Sequence, residues 1–179
     1  IENRVEAMLP VVVETEGTVG EGFDIGTKTS SPNMVEVAGA ESMIHRLKEI
    51  RVVVNVNNAV QDINARQSVK FYDRNGDEVE STMIDCDTKL VSVLIDLWQT
   101  KEIPVVLKTE GMPAAGFGIS AFDYEPKTVV IAATDEMYGK VHELTMESLQ
   151  VSDVNSNVEK TISMDSSALP QGVMFQDGK

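Results

Sequence analysis

Leu9-Pro10-Val11-Val12-Val13-Glu14-Thr15-Glu16-Gly17 and Ile103-Pro104-Val105-Val106-Leu107-Lys108-Thr109-Glu110-Gly111 are two copies of one segment, 94 residues apart. Without a gap, the same register carries Gly22-Phe23 onto Gly116-Phe117, Ile25 onto Ile119, Pro32 onto Pro126, Val35 onto Val129, Met43 onto Met137 and Glu49 onto Glu143. About a third of the positions from Leu9 to Ile50 are identical, the self-similarity that a structural repeat leaves in a sequence. Under this offset Ile1-Glu2 falls on Ile95-Asp96, the end of an apolar strand, so the first residues correspond to the finish of a preceding unit. Val173-Met174-Phe175-Gln176-Asp177-Gly178 aligns, with a small gap, on Val69-Lys70-Phe71-Tyr72-Asp73, and nothing further matches Val91-Ser92-Val93-Leu94-Ile95. The expectation is two units, residues 1–94 and 95–179, the second lacking its final strand, cut from a longer chain.

Within a unit the periodicity is that of strands. Val11–Thr15, Phe23–Thr29, Met34–Ala38 and Val52–Asn57 are short, rich in Val, Ile and Thr, and bounded by Gly, Pro or Asn. Asn75-Gly76 predicts a long hairpin over Tyr72–Val79 with a type I′ turn, since that turn needs two positive φ angles. Met43, Leu47 and Ile50, echoed by Met137, Val141 and Leu144, predict one short helix per unit from their i, i+4, i+7 spacing. Thr134 is a candidate N-cap, with Asp135 and Glu136 favoured by the positive helix end. Pro10 and Pro104 are expected to begin a strand, where a missing N–H costs least. Gly22 and Gly116 are expected to permit a bulge or close approach before a buried aromatic, Phe23 or Phe117, and Pro32 and Pro126 to close a turn. If Phe23 is fully buried, its truncation to Ala costs about 3–5 kcal/mol. The fold class is mostly β, a β-rich α+β module.

The chain of 179 residues has a globular composition, 42% hydrophobic and 25% charged, too apolar for a disordered chain. Its net charge of −14 opposes binding to nucleic acid. The longest apolar runs, Leu9–Val13 and Val129–Ala133, are too short for a membrane-spanning helix. Nothing at Ile1 reads as a signal peptide. Cys86 is the single cysteine, so it forms no internal disulfide and leaves the compartment open.

Chemistry-bearing motifs are scarce. His45 and His142 sit among charged neighbours without a convergent partner and read as solvated surface residues. Cys86 lies between Asp85 and Asp87, which oppose a reactive thiolate. The glycines of Gly17–Gly22 lack the helix and Lys of a phosphate loop. Asp73-Arg74-Asn75-Gly76-Asp77 starts like a calcium loop, but its glycine comes two positions early and position twelve is Ile84. Turn chemistry accounts for the same residues. No catalytic, cofactor-binding or metal-binding residue is therefore assigned. Trp98 stands at the junction of the units and outside the shared pattern, being matched by Arg4, and is the one candidate contact. It either anchors one module on the next across a short linker, Leu97–Glu102, or meets a partner protein.

The order of I/L-P-V, then G-F, then P-x-x-V-x-V, a short helix, a Val-rich strand and a D-x-x-G hairpin resembles the YbbR domain, and the pattern occurs twice. Ala133, where the first unit has Gly39, departs from it without changing the likeness. The resemblance implies tandem modules of short criss-crossing strands, each with one short helix, and no catalytic site or cofactor. It further implies a bacterial protein on the outer face of the cytoplasmic membrane, held by an anchor helix outside these residues. It implies as partner a membrane-bound diadenylate cyclase, whose cyclic di-AMP synthesis the protein modulates. The alternative is an extracytoplasmic adhesive or scaffolding array that binds cell-wall material or surface proteins. An enzyme with a site between modules is disfavoured, because no convergent pair of acid and base is visible.

Overall fold

Runs of Val, Ile and Thr that alternate in polarity form strands in the computed structural model, which describes residues 1–176. The fold is mostly β, with two short α-helices among the described residues. The chain divides into two compact units, Ile1–Leu97 and Trp98–Lys179.

In the first unit β1 (Arg4–Glu16) changes partner halfway. Its residues Arg4–Pro10 pair antiparallel with β3 (Met34–Ala40), and Val11–Glu16 pair parallel with β4 (Leu47–Asn55). Pro10 therefore lies inside a strand, not at its start. It occupies the crossing point, where the next amide, Val11 N–H, turns to the Asn33 carbonyl at 2.9 Å. The sheet continues through β6 (Lys70–Asp73) to β7 (Glu78–Val79), in the order β3-β1-β4-β6-β7. Strands β2 (Phe23–Ser31) and β5 (Ile63–Ser68) pair instead with the first part of β8 (Leu90–Val106), β5 antiparallel from Ile63↔Ile95 to Ser68↔Leu90.

Two apolar clusters fill this unit. One gathers Leu9, Val35, Val37, Ile44, Leu47, Ile50, Phe71 and Ile84. The other gathers Val52, Val54, Val56, Val91, Val93 and Ile95, with Phe23 and Ile25 packed on it. Phe23 is half-buried, short of the full burial its sequence position implied.

The helix α1 (Glu41–Arg46) is shorter than the apolar spacing predicted, because Leu47 and Ile50 belong to β4. A register shift between Leu47 and Glu49 explains the false signal. The irregularity places Leu47 and Ile50 on one side of a strand at a separation of three, which imitates a helical face. The Tyr72–Val79 hairpin is short, and its turn is not type I′. Gly76 has a φ of 89°, but Asn75 is not among the positive-φ residues. Asp73 N–H donates to the Asp77 carbonyl and Gly76 N–H to the Asp73 carbonyl, giving a longer loop with one left-handed residue.

In the second unit, Gln99–Pro104 of β8 pairs antiparallel with β10 (Thr128–Ala133), and Val105–Val106 pairs parallel with β11 (Leu144–Thr145). Leu97–Glu102, expected as a linker, is strand throughout; apolar alternation in Val91–Leu97 and again in Ile103–Val105 leaves nothing to break it. Strand β9 (Thr109–Glu110) pairs parallel with β12 (Leu149–Gln150), and β13 (Val173–Phe175) antiparallel with β10. The helix α2 (Asp135–Tyr138) is a single turn, and Thr134 caps it as expected, its side chain accepting from Met137 N–H. Val141 and Leu144 lie beyond it and are buried with Ile103, Ile131 and Val173.

The repeat is visible in the hydrogen bonds. Val11 N–H to Asn33 O recurs as Val105 N–H to Lys127 O, and Phe23 N–H to Gly20 O as Phe117 N–H to Ala114 O. Asn58 N–H to Thr18 O recurs as Asp153 N–H to Met112 O. Asn58 and Asp153 share a φ of 58°. The matching offset is 94 up to Thr145, paired with Val106 as Arg51 is with Val12, and 95 from Leu149, paired with Thr109 as Val54 is with Thr15. One extra residue between them splits what is a continuous β1–β4 pairing in the first unit.

Pairing corrects the alignment of Val173–Phe175. Met174 faces Ala132 on β10, as Asp85 faces Ala38 on β3. A 3₁₀ turn precedes each, Ser81–Met83 and Ser166–Ala168. Val173–Phe175 thus stands where Ile84–Cys86 stands, not where Val69–Phe71 does. The rest of the expected match, Asp177 and Gly178, lies outside the described residues.

Candidate functional site

The polar groups that drew notice in the sequence are held by structural duties. Asp73, 3% exposed, closes its own turn, with Oδ1 accepting from the N–H of Asn75 and of Asp77, and Oδ2 receiving Arg46 at 3.3 Å. The Asp77 amide above all, then the Asn75 amide and Arg46, hold its carboxyl below the usual carboxylate range. Those bonds occupy the oxygens that a calcium ion would need. His45 and His142 are exposed, and no cluster of three His, Cys, Asp or Glu able to hold a metal occurs among the described residues. Cys86 is buried in the first cluster and its thiol reaches the Thr88 carbonyl at 3.2 Å.

Arg51 is the most engaged cation. Its guanidinium lies 4.1 Å from the centre of the Tyr72 ring, 2.9 Å from Glu49 and 3.6 Å from Glu14. The Glu49 hydrogen bond raises its pKa and keeps it charged, so the group pins β1, β4 and β6 together and offers no base. In the second unit the Lys101 ammonium donates to the carbonyls of Tyr138 and Val141, tying α2 and its following turn to β8.

Trp98 lies in β8 and is half-buried, the first residue of the second unit. Among the described residues, no charged side chain hydrogen-bonds to it.

The feature that sequence reasoning missed is a groove on the second unit whose lining mixes apolar side chains with Thr109, Ser120, Asn155 and Asn157. About 530 Å³ of open volume is lined by Phe117, Ile119, Leu149, Val151, Val154 and Val158. A smaller hollow of about 200 Å³ adjoins it through Phe122, Leu149 and Val158 and runs on to Leu107, Met146 and Ile162. Phe117 is 57% exposed and Ile119 50%, contradicting the expectation that Phe117 is buried. At the same repeat positions Phe23 and Ile25 are packed against Val91, Val93 and Ile95. The residues of this part of the repeat are copied, but residues 117–125, which match β2, are not strand.

Residues 9–84 match the family described as YbbR-like protein. The chain is 22% identical over 178 residues to the CdaA regulatory protein CdaR of Bacillus subtilis (strain 168), an alignment covering 97% of this chain and 35% of that protein. The chain therefore spans about a third of the length of this curated relative. Among solved structures, a solution structure of SuR18C from Streptococcus thermophilus aligns with 14% identity over 54% of this chain and 86% of that one, with a TM-score of 0.43. The crystal structure of a YbbR-like protein from Streptococcus pneumoniae TIGR4 aligns with 11% identity over 54% and 48%, with a TM-score of 0.43.

Proposed function

We propose, from the premise that residues 9–84 are a YbbR-like domain, that the chain is the non-catalytic repeat region of a regulator that binds a membrane diadenylate cyclase and modulates cyclic di-AMP synthesis. The observation that carries this reading is the alignment of 97% of the chain with a protein named as the regulator of CdaA. In this reading both units are YbbR-like repeats, and the region stands on the outer face of the bacterial cytoplasmic membrane. In the same reading an anchor elsewhere in the polypeptide holds it there; no helix among the described residues is long and apolar enough to cross a membrane. The engaged state of Arg51, Asp73 and Lys101 supports a binding role over a catalytic one.

A regulator without chemistry acts only by binding two states of its target with different affinity. Strand β8 runs from Leu90 to Val106. Trp98, half-buried in that strand, is the proposed contact between modules or with a partner. Co-purification of the full-length parent from membranes is the test. A bound diadenylate cyclase, lost when the repeats are deleted, is the expected result. Recovery of wall polymer or other surface proteins without the cyclase would replace this reading with an adhesive or scaffolding array.

A further inference from the structure

The end of α1 and the turn that follows β6 bring three basic side chains to one place in the first unit. Leu47, next after α1, pairs with Asp73, and the Arg74 N–H donates to the Arg46 carbonyl at 3.1 Å. Between them lies an open hollow of about 470 Å³, lined by His45, Arg46, Asp73, Arg74 and Asn75. Its one carboxylate is already satisfied, since Asp73 is 3% exposed and accepts from two amides and from Arg46. Asp77 and Glu78, next along the chain, do not line the hollow.

Arg46 gives its Nη2 to Asp73, which restrains the guanidinium and leaves Nε and Nη1 without a hydrogen-bond partner among the described residues. Arg74 and His45 are exposed, and neither side chain enters an ion pair or hydrogen bond among the described residues. The second unit shows that the fold does not require this arrangement. His45 and Arg46 fall on Gly139 and Lys140 at the repeat offset, and Lys140 is paired with Glu136 at 3.0 Å. No strand pair corresponding to β6 and β7 stands in the second unit among the described residues.

We infer that this hollow binds the phosphate group of a small phosphorylated molecule. Guanidinium groups match phosphate oxygens with forked, charge-assisted hydrogen bonds, and His45 supplies a further donor. The donors come from two elements, α1 and the turn, so they meet a tetrahedral anion from more than one side, which a planar carboxylate would use less well. The net charge of −14 repels an extended polyanion or an anionic lipid surface. Within a screening length of about 8 Å the local cations decide instead, which favours a small ligand. The inference does not depend on the cyclase being the partner.

The test titrates inorganic phosphate into the 179-residue chain at constant ionic strength, with sodium chloride as the reference, and follows the amide signals. The expected result is a saturable shift at His45, Arg46, Arg74 and Asn75, with Lys140 of the second unit unmoved. Arg74→Gln keeps the backbone bond to Arg46 and should raise the half-saturating concentration roughly tenfold or more. Arg74→Lys keeps the charge without the fork and should fall between the two. Equal shifts in phosphate and chloride, or a response unchanged in Arg74→Gln, overturn the inference. A second arm uses vesicles of equal parts phosphatidylglycerol and phosphatidylcholine against phosphatidylcholine alone, and no binding is expected to either. Binding to the anionic vesicles that is lost in Arg74→Gln would give the hollow to a lipid headgroup and overturn the small ligand.

Discussion

Phe23→Ala and Phe117→Ala remove the same ring from the same repeat position and should have very different costs. Full burial of a phenylalanine makes its truncation worth about 3–5 kcal/mol. Phe23 is half-buried against Val91, Val93 and Ile95, so part of the ring already meets water and the expected loss is about 2–3 kcal/mol. Phe117 keeps 57% of its surface in solvent, which puts its truncation within about 0.5 kcal/mol of neutral. The assay is urea unfolding followed by resolved amide signals of each unit, so that the two transitions are separated. With a slope of about 1–1.5 kcal/mol per molar, the first-unit midpoint should fall by about 2 M in Phe23→Ala, with the second unit unmoved. Phe117→Ala should move neither midpoint by more than about 0.5 M. A loss of 2 kcal/mol or more in Phe117→Ala would show that its ring is packed, and the open groove would have to be given up.

Three further outcomes follow from single residues. Hydrogen bonds lower the pKa of Asp73, so its contribution to stability is present above the unfolded carboxylate value of about 4 and is lost as pH falls through the depressed folded value. Acid titration should therefore destabilise the first unit less steeply in Asp73→Asn than in the wild type, and parallel curves would show that the turn does not depend on that charge. Thr134→Ala removes the cap of α2 and should cost the second unit about 1 kcal/mol, read as a fall in its thermal midpoint with no change in the first. Gly17→Ala places a Cβ 2.8 Å from that of Asn57 at a φ of 90°, and should cost more than Gly22→Ala, where φ is 86° but no atom lies within 4 Å. About 1–2 kcal/mol is expected at Gly22 from the backbone alone, and an equal loss at both sites would exclude the contact with Asn57.

The strands of the first unit and the equivalence of the two segments were legible because both depend on local alternation and on spacing. The first helix was overextended because a bulge at Leu47–Glu49 gives strand residues a helical spacing, an effect visible only once the partner strand is known. Pro10 was placed at a strand start because a missing N–H is usually tolerated there. The crossing of β1 from β3 to β4 supplies the same tolerance in mid-strand, and depends on contacts far apart in sequence. Val173–Phe175 was matched to Val69–Phe71 by residue likeness, whereas strand pairing set its true place. The repeat rule alone also made Phe117 a core residue. Burial of Phe23 comes from Val91, Val93 and Ile95, contacts far apart in sequence that residue likeness alone does not carry over to Phe117.

The measurement closest to the central claim is the rate of cyclic di-AMP synthesis in membranes holding the cyclase with the full-length parent, or with a parent lacking both units but retaining the rest. The account predicts a change of roughly five-fold or more between the two, in either direction, restored when the units are returned. Equal rates at equal cyclase abundance would contradict it and leave the two units as a binding array with another partner.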